Sequence, residues 1–202
     1  MNLNELRDKV YEIAKAHGWH DKELSDQHLC MLIITEISEA VNADRCNKHA
    51  NVNEYKHLVE YADREKLLTG DTLKLYLKEA FESNIKDTVE DELADVVIRL
   101  LDLSGLYEID FNKMPEAFVI NDNRLEEMMI ADIKSMSMTE FAYRCTFQTM
   151  KICEYDISPG FIETLLHYIY LYCHCKHIDL EWHVNEKIRY NQTREYKHGK
   201  RY

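Results

Sequence analysis

Four acidic residues in this chain are spaced for metal chemistry. Glu36 and Glu39 stand in "LIITEISEAVNADR" (32–45), and Glu92 and Asp95 in "EDELADVVIRLLDL" (90–103). At helical spacing Leu29, Leu32, Ile33, Ala40 and Ala43 share one face, with Glu36 in its middle and Glu39 at its edge. The second segment is apolar almost all round, except for a stripe of Glu92, Asp95, Arg99 and Asp102. Carboxylates at i and i+3 lie roughly 5–6 Å apart at Cβ and repel by a few tenths of a kcal/mol even in water. Burial raises that cost unless the charge is neutralised or compensated. A hard divalent cation compensates it, because Mg²⁺ takes carboxylate oxygens while keeping water and phosphate oxygens in its shell. Two helices packed at roughly 8–10 Å can aim all four acids at one place. ExxE and ExxD strings also occur on solvated helix faces. Glu36 separates the two readings, since a Glu amid apolar residues is almost never buried without a partner.

The elements that hold these acids are helices. The chain of 202 residues is 46% hydrophobic and 31% charged, with only five Gly and two Pro, and its long intervals are rich in helix formers. This predicts an all-α domain with helices at 4–17, 25–46, 54–69, 72–84, 87–106, 122–135, 138–154, 160–177 and 179–193. The segment 54–69 has a polar majority and reads as solvated. "VVIRLLDLSGLYEIDF" (96–111) and "LHYIYLYCHCKHIDL" (166–180) both run an apolar helix into an Ile-Asp exit, 69 residues apart when Asp110 and Asp179 are aligned. That is a degenerate repeat, or two buried helices with similar exits.

Net charge is −12, unevenly placed: residues 187–202 carry +5 and residues 1–186 carry −17. The acidic body excludes general binding to nucleic acid or anionic membranes, while the basic end suits a small polyanion. No apolar run long enough for a membrane span or a secretion signal occurs, which predicts a cytoplasmic protein. Six cysteines within helical patterns read as free thiols. Trp19, in "HGWH", is a candidate to stack on a base, or equally a packing residue between the first two helices. Arg99 and Asp102 read as support around the acids rather than as ligands.

The two acidic motifs, followed by "KIRYNQTREYKHGK" (187–200), resemble the all-α nucleoside triphosphate pyrophosphohydrolases of the MazG-like superfamily, in particular its small bacterial and phage members. The resemblance covers about residues 5–111 and 179–202. Residues 112–178 read as a helical insertion or degenerate repeat within a single domain spanning 1–202. It implies a four-helix-bundle-like fold and Mg²⁺, with Mn²⁺ able to substitute, held by Glu36, Glu39, Glu92 and Asp95. It further implies hydrolysis of an NTP or dNTP to the monophosphate and pyrophosphate. The tail matches family positions at Lys187, Tyr190, Asn191, Arg194, His198, Gly199 and Lys200, and Lys187, Arg194, Lys197 and Lys200 would offset the triphosphate's charge. Many members carry a Glu just before the first motif acid, where this chain has Thr35. The family is commonly dimeric or tetrameric, so a homo-oligomer is expected. Two other readings stand beside this one. A non-catalytic nucleotide-binding or helical interaction protein would keep the fold without turnover. A di-iron carboxylate bundle would need Glu-x-x-His on two helices, whereas only Glu54 and His57 have that spacing.

Overall fold

The computed structural model describes residues 2–65, 69–113 and 123–196. Among the described residues the chain is all-helical, with nine α-helices and no strand: α1 (Leu3–Ala16), α2 (Asp26–Arg45), α3 (Val52–Glu65), α4 (Gly70–Asn84), α5 (Val89–Leu106), α6 (Asn123–Ser135), α7 (Met138–Glu154), α8 (Pro159–Cys175) and α9 (Leu180–Asn191). A short 3₁₀ turn, Phe111–Lys113, follows α5. No described helix is long and apolar enough to cross a membrane.

α5 is apolar nearly all round because it is surrounded. α1, α2, α8 and α9 all pack on it, and Ala94, Val96, Leu100 and Leu101 are fully buried. Burial of each large aliphatic chain contributes about 1.5–3 kcal/mol, so α5 is the axis of the molecule's stability. Its start is well specified: the Thr88 hydroxyl accepts from the Asp91 N–H at 3.3 Å, and Glu90, Asp91 and Glu92 in the first turn complement the helix dipole. α2 begins the same way on Ser25, and α7 on a capping box formed by Ser137 and Glu140.

One continuous core runs from Val10 and Ile33 to Phe141, Ile162 and Ile169. α6, α7 and α8 are therefore not an appendage. α7 packs on α2 and α8, α6 packs on α8, and Phe141 stacks on Tyr172 with ring centres 3.8 Å apart. The segment expected to be solvated forms α3, which pairs with α4 and is docked through a small second cluster. There Tyr55 meets Phe81 and Trp182 edge-on and its hydroxyl donates to Glu186 at 2.6 Å. A polar helix with one narrow apolar face produces this docking, since among the described side chains of α3 only Tyr55 and Ala62 are buried. Glu54 and His57 are exposed on it.

Two glycines shape the wall that faces the acids. Gly18, at φ +78°, ends α1 in the left-handed conformation and turns Trp19 back toward α5. Gly105 lets α1 approach α5 so closely that an added Cβ would lie 2.5 Å from Cβ of Tyr11. Neither atom is at the end of a flexible chain. Gly105→Ala is therefore expected to destabilise by about 1–3 kcal/mol despite alanine's better helix propensity. A thermal melt checks this, and an unchanged or raised Tm would contradict the close approach.

Candidate metal and polyphosphate site

α2 and α5 bring three of the four motif acids together. One carboxylate oxygen from each of Glu36, Glu39 and Glu92 lies within 4.8 Å of the others. Glu36 and Glu92 are buried while Glu39 is exposed at the rim. Among the described residues no other group of three His, Cys, Asp or Glu side chains has this geometry.

The acids are compensated unequally. Arg99 donates from Nε to Glu36 Oε1 at 3.0 Å. Burial and the nearby Asp95 still push Glu36 upward, against the lowering effect of Arg99. Glu92 is bonded to no side-chain cation among the described residues, and burial, reinforced by Asp95, raises it to about 9. A buried acid held neutral beside two others fits a group that ionises when a cation arrives.

Asp95 departs from the expected ligand set. Its Oδ2 lies 2.7 Å from Nζ of Lys187, which also lies 2.6 Å from Asp91 Oδ2. Lys187, expected to contact substrate, is already engaged by these two acids. Its ammonium is buried between two carboxylates. Burial alone would lower its pKa, but Asp95 and Asp91 together hold it above the ordinary lysine value. Asp91 is the residue that sequence reasoning missed. It is 1% exposed, it accepts from the Asp87 N–H at 3.0 Å, and its Oδ1 has no hydrogen-bond partner. Burial raises it to about 6, although Lys187 acts in the other direction.

A cleft of about 200 Å³ opens over these acids. α1 gives it an apolar wall of Val10, Ile13 and Ala14, continued by Ile98 of α5 and Ile188 of α9. Trp19, Asn191 and Arg194 line it as the sequence suggests, with the Arg99 guanidinium 5.8 Å from the centre of the Trp19 ring. The Asn191 Oδ1 is buried with no hydrogen-bond partner. Two further contributors went unnoticed in the sequence: Lys86 at the rim, and His17, whose Nε2 lies 3.1 Å from the Arg194 carbonyl oxygen. His20 Nε2 meets Asp102 Oδ1 at 2.8 Å at one end.

Tyr190 does not line the cleft. It stacks on Phe81 with ring centres 4.4 Å apart and donates to Glu82 at 2.7 Å, so it anchors α9 to α4. Lys197 and Lys200, with His198 and Gly199, lie outside the described residues. The lining holds six acids against four Lys and Arg, three of which are already paired with carboxylates. Such a cleft attracts small cations and repels a polyphosphate until they enter.

The raised pKa of Glu92 has a measurable consequence. Between the ordinary 4.5 and about 9 the folded protein holds a proton that the unfolded chain has lost. Stability therefore falls as pH rises through that window, by at most about 1.4 kcal/mol per unit. In the absence of divalent ions the Tm should decline from pH 5 to pH 9, and saturating Mg²⁺ or Mn²⁺ should flatten the decline. A metal-independent slope would show that Glu92 does not sense the ion.

No protein-family model, no curated protein and no solved structure matches the chain.

Proposed function

We propose that the chain is a Mg²⁺-dependent nucleoside triphosphate pyrophosphohydrolase of the MazG-like type, with Mn²⁺ as a substitute. The observation that carries this reading is the convergence of Glu36, Glu39 and Glu92 within 4.8 Å at the floor of a cleft also lined by Arg194 and Trp19. The donor set fits a hard divalent cation: all oxygen, two donors buried, one of them held neutral in the ion's absence. Glu36, Glu39 and Glu92 would hold the ions, with Asp95 joining them if it leaves Lys187. When bound, the ions neutralise the polyphosphate and acidify an attacking water.

The remaining work falls to the protein's side chains. Arg194 and Lys86 meet the outer phosphates, Trp19 offers a face to the base, and Arg99 fixes the carboxylate plane of Glu36. Water adds at the α-phosphorus and the bond to the β-phosphate oxygen breaks. The products are a nucleoside monophosphate and pyrophosphate.

The test is pyrophosphate release from a panel of NTPs and dNTPs with Mg²⁺, comparing the wild type with Glu36→Gln. Turnover is expected to fall by about 10³-fold or more, a loss of at least about 4 kcal/mol of transition-state stabilisation, with helix content unchanged. Release unaffected by Glu36→Gln would remove it from the site.

The bonding of Asp95 to Lys187 favours one other reading, a nucleotide-binding protein without turnover. It predicts nucleotide binding in the same assay with no pyrophosphate from any substrate.

A further inference from the structure

The helices pack in a pattern that repeats. α1 and α2 both pack on α5, while α6 and α7 both pack on α8, in the same chain order apart from the α3–α4 hairpin. Across the middle, α2 meets α7 and α5 meets α8, which are the self-pairings a two-fold relation requires.

The correspondence extends to single residues. Shifted by 69, α5 spans 158–175, and α8 is Pro159–Cys175. At the end of α5 the Ile109 N–H donates to Ser104 at 2.9 Å and that of Tyr107 to Leu103 at 3.2 Å. At the end of α8 that of Ile178 donates to Cys173 at 2.8 Å and that of Lys176 to Tyr172 at 3.0 Å, each partner 69 residues on. The intervening residues, Glu108 and His177, both take positive φ, at 52° and 59°. Left-handed ends are common on helices. Their register with the shared packing partners is what a chance resemblance would not supply.

We infer that α6–α8 is a degenerate copy of α1, α2 and α5 that plays the part of a second subunit. It has lost a carboxylate site of its own, and α9, which follows it and has no counterpart among the described residues of the first half, completes the first half's site. Where Glu39 of α2 faces Glu92 of α5, Lys151 of α7 faces Phe161 of α8, with its ammonium 5.8 Å from the ring centre. Phe161 and Thr164 stand 69 positions after Glu92 and Asp95, and α7 keeps acids only at its ends, Glu140 and Glu154. A cation over an aromatic ring needs no metal. In the other direction, α9 lies against α5 and brings Lys187, Ile188, Asn191 and Arg194 to the cleft. Each chain therefore holds one complete site and needs no second copy to build it.

This inference rests on the metal reading of Glu36, Glu39 and Glu92, and it is tested on the full chain with Mn²⁺ as the probe. Bound Mn²⁺ is counted by electron paramagnetic resonance for the wild type and for Glu36→Gln, with sedimentation measured in parallel. Binding is expected to be confined to the first half's site, to be lost in Glu36→Gln, and to keep the same affinity over about a thousandfold dilution of protein. Mn²⁺ retained by Glu36→Gln at a second location, or affinity that collapses as the protein is diluted, would overturn the one-site inference alone. A wild-type chain that binds no Mn²⁺ would overturn the metal reading and this inference together.

Discussion

Glu92→Gln is expected to reduce Mg²⁺-dependent turnover by about 10³-fold or more while leaving the metal-free protein about as stable at pH 4 and more stable at pH 9. The two effects share one cause. Burial and Asp95 hold the Glu92 carboxyl neutral up to about pH 9, so the amide copies its resting form closely. An amide does not supply the negative oxygen that a divalent ion requires. The Tm increase that Mg²⁺ gives the wild type should disappear in the same variant, because linkage needs an ion that binds the folded state. Melts at the two pH values with and without Mg²⁺, combined with pyrophosphate release, check every part. A variant that keeps both its turnover and its Mg²⁺-dependent Tm would place the ion elsewhere.

Lys187→Met should be the most destabilising single change in the cleft. It leaves Asp91 and Asp95, 2.6 and 2.7 Å from the lost ammonium, without their shared cation. Removing one partner of a buried ion pair costs about 3–5 kcal/mol, which in a domain of this size corresponds to roughly 10–15 °C in Tm. The second carboxylate decides how the loss is recovered. Asp91 is 1% exposed, so the pair Lys187→Met and Asp91→Leu should regain most of the stability, whereas Lys187→Met and Asp95→Asn should regain less, since the Asp95 side chain is 20% exposed. Urea denaturation of these four proteins and of the single variants Asp91→Leu and Asp95→Asn gives the two coupling energies. A loss below about 1 kcal/mol in Lys187→Met would mean that the ammonium is solvated rather than enclosed.

What the sequence revealed depended on how many neighbours an element has. α2 and α5 were legible because each carries a pattern with few solutions. The helices expected at 25–46 and 87–106 form as Asp26–Arg45 and Val89–Leu106. Glu36 amid apolar residues pointed inward, and it is buried with Arg99 as its partner. Asp91 was hidden for the converse reason. Four helices surround α5, so a residue adjacent to Glu92 faces a different neighbour, and a helical wheel does not say that α9 waits there with a lysine. Four acids in the run 90–95 were the available signal, of which only Glu92 and Asp95 were read for chemistry. Tyr190 was misplaced because matching the tail residue by residue cannot tell which side of α9 turns toward the cleft and which toward Phe81. The weight of α6–α8 was likewise illegible. Their apolar faces look alike whether they cover one another or, as here, share a core with α2 and α5.

The ammonium that quiets Asp91 and Asp95 arrives on α9, almost a hundred residues downstream of them. A ribosome that has released α5 has made a segment whose acidic flank cannot yet be dehydrated. The packing around α5 is therefore complete only once Lys187 emerges. Contacts so distant in sequence make the closing step slow. They also make it a checkpoint: a chain cut short before α9 has no settled cleft in which to trap an ion or a nucleotide.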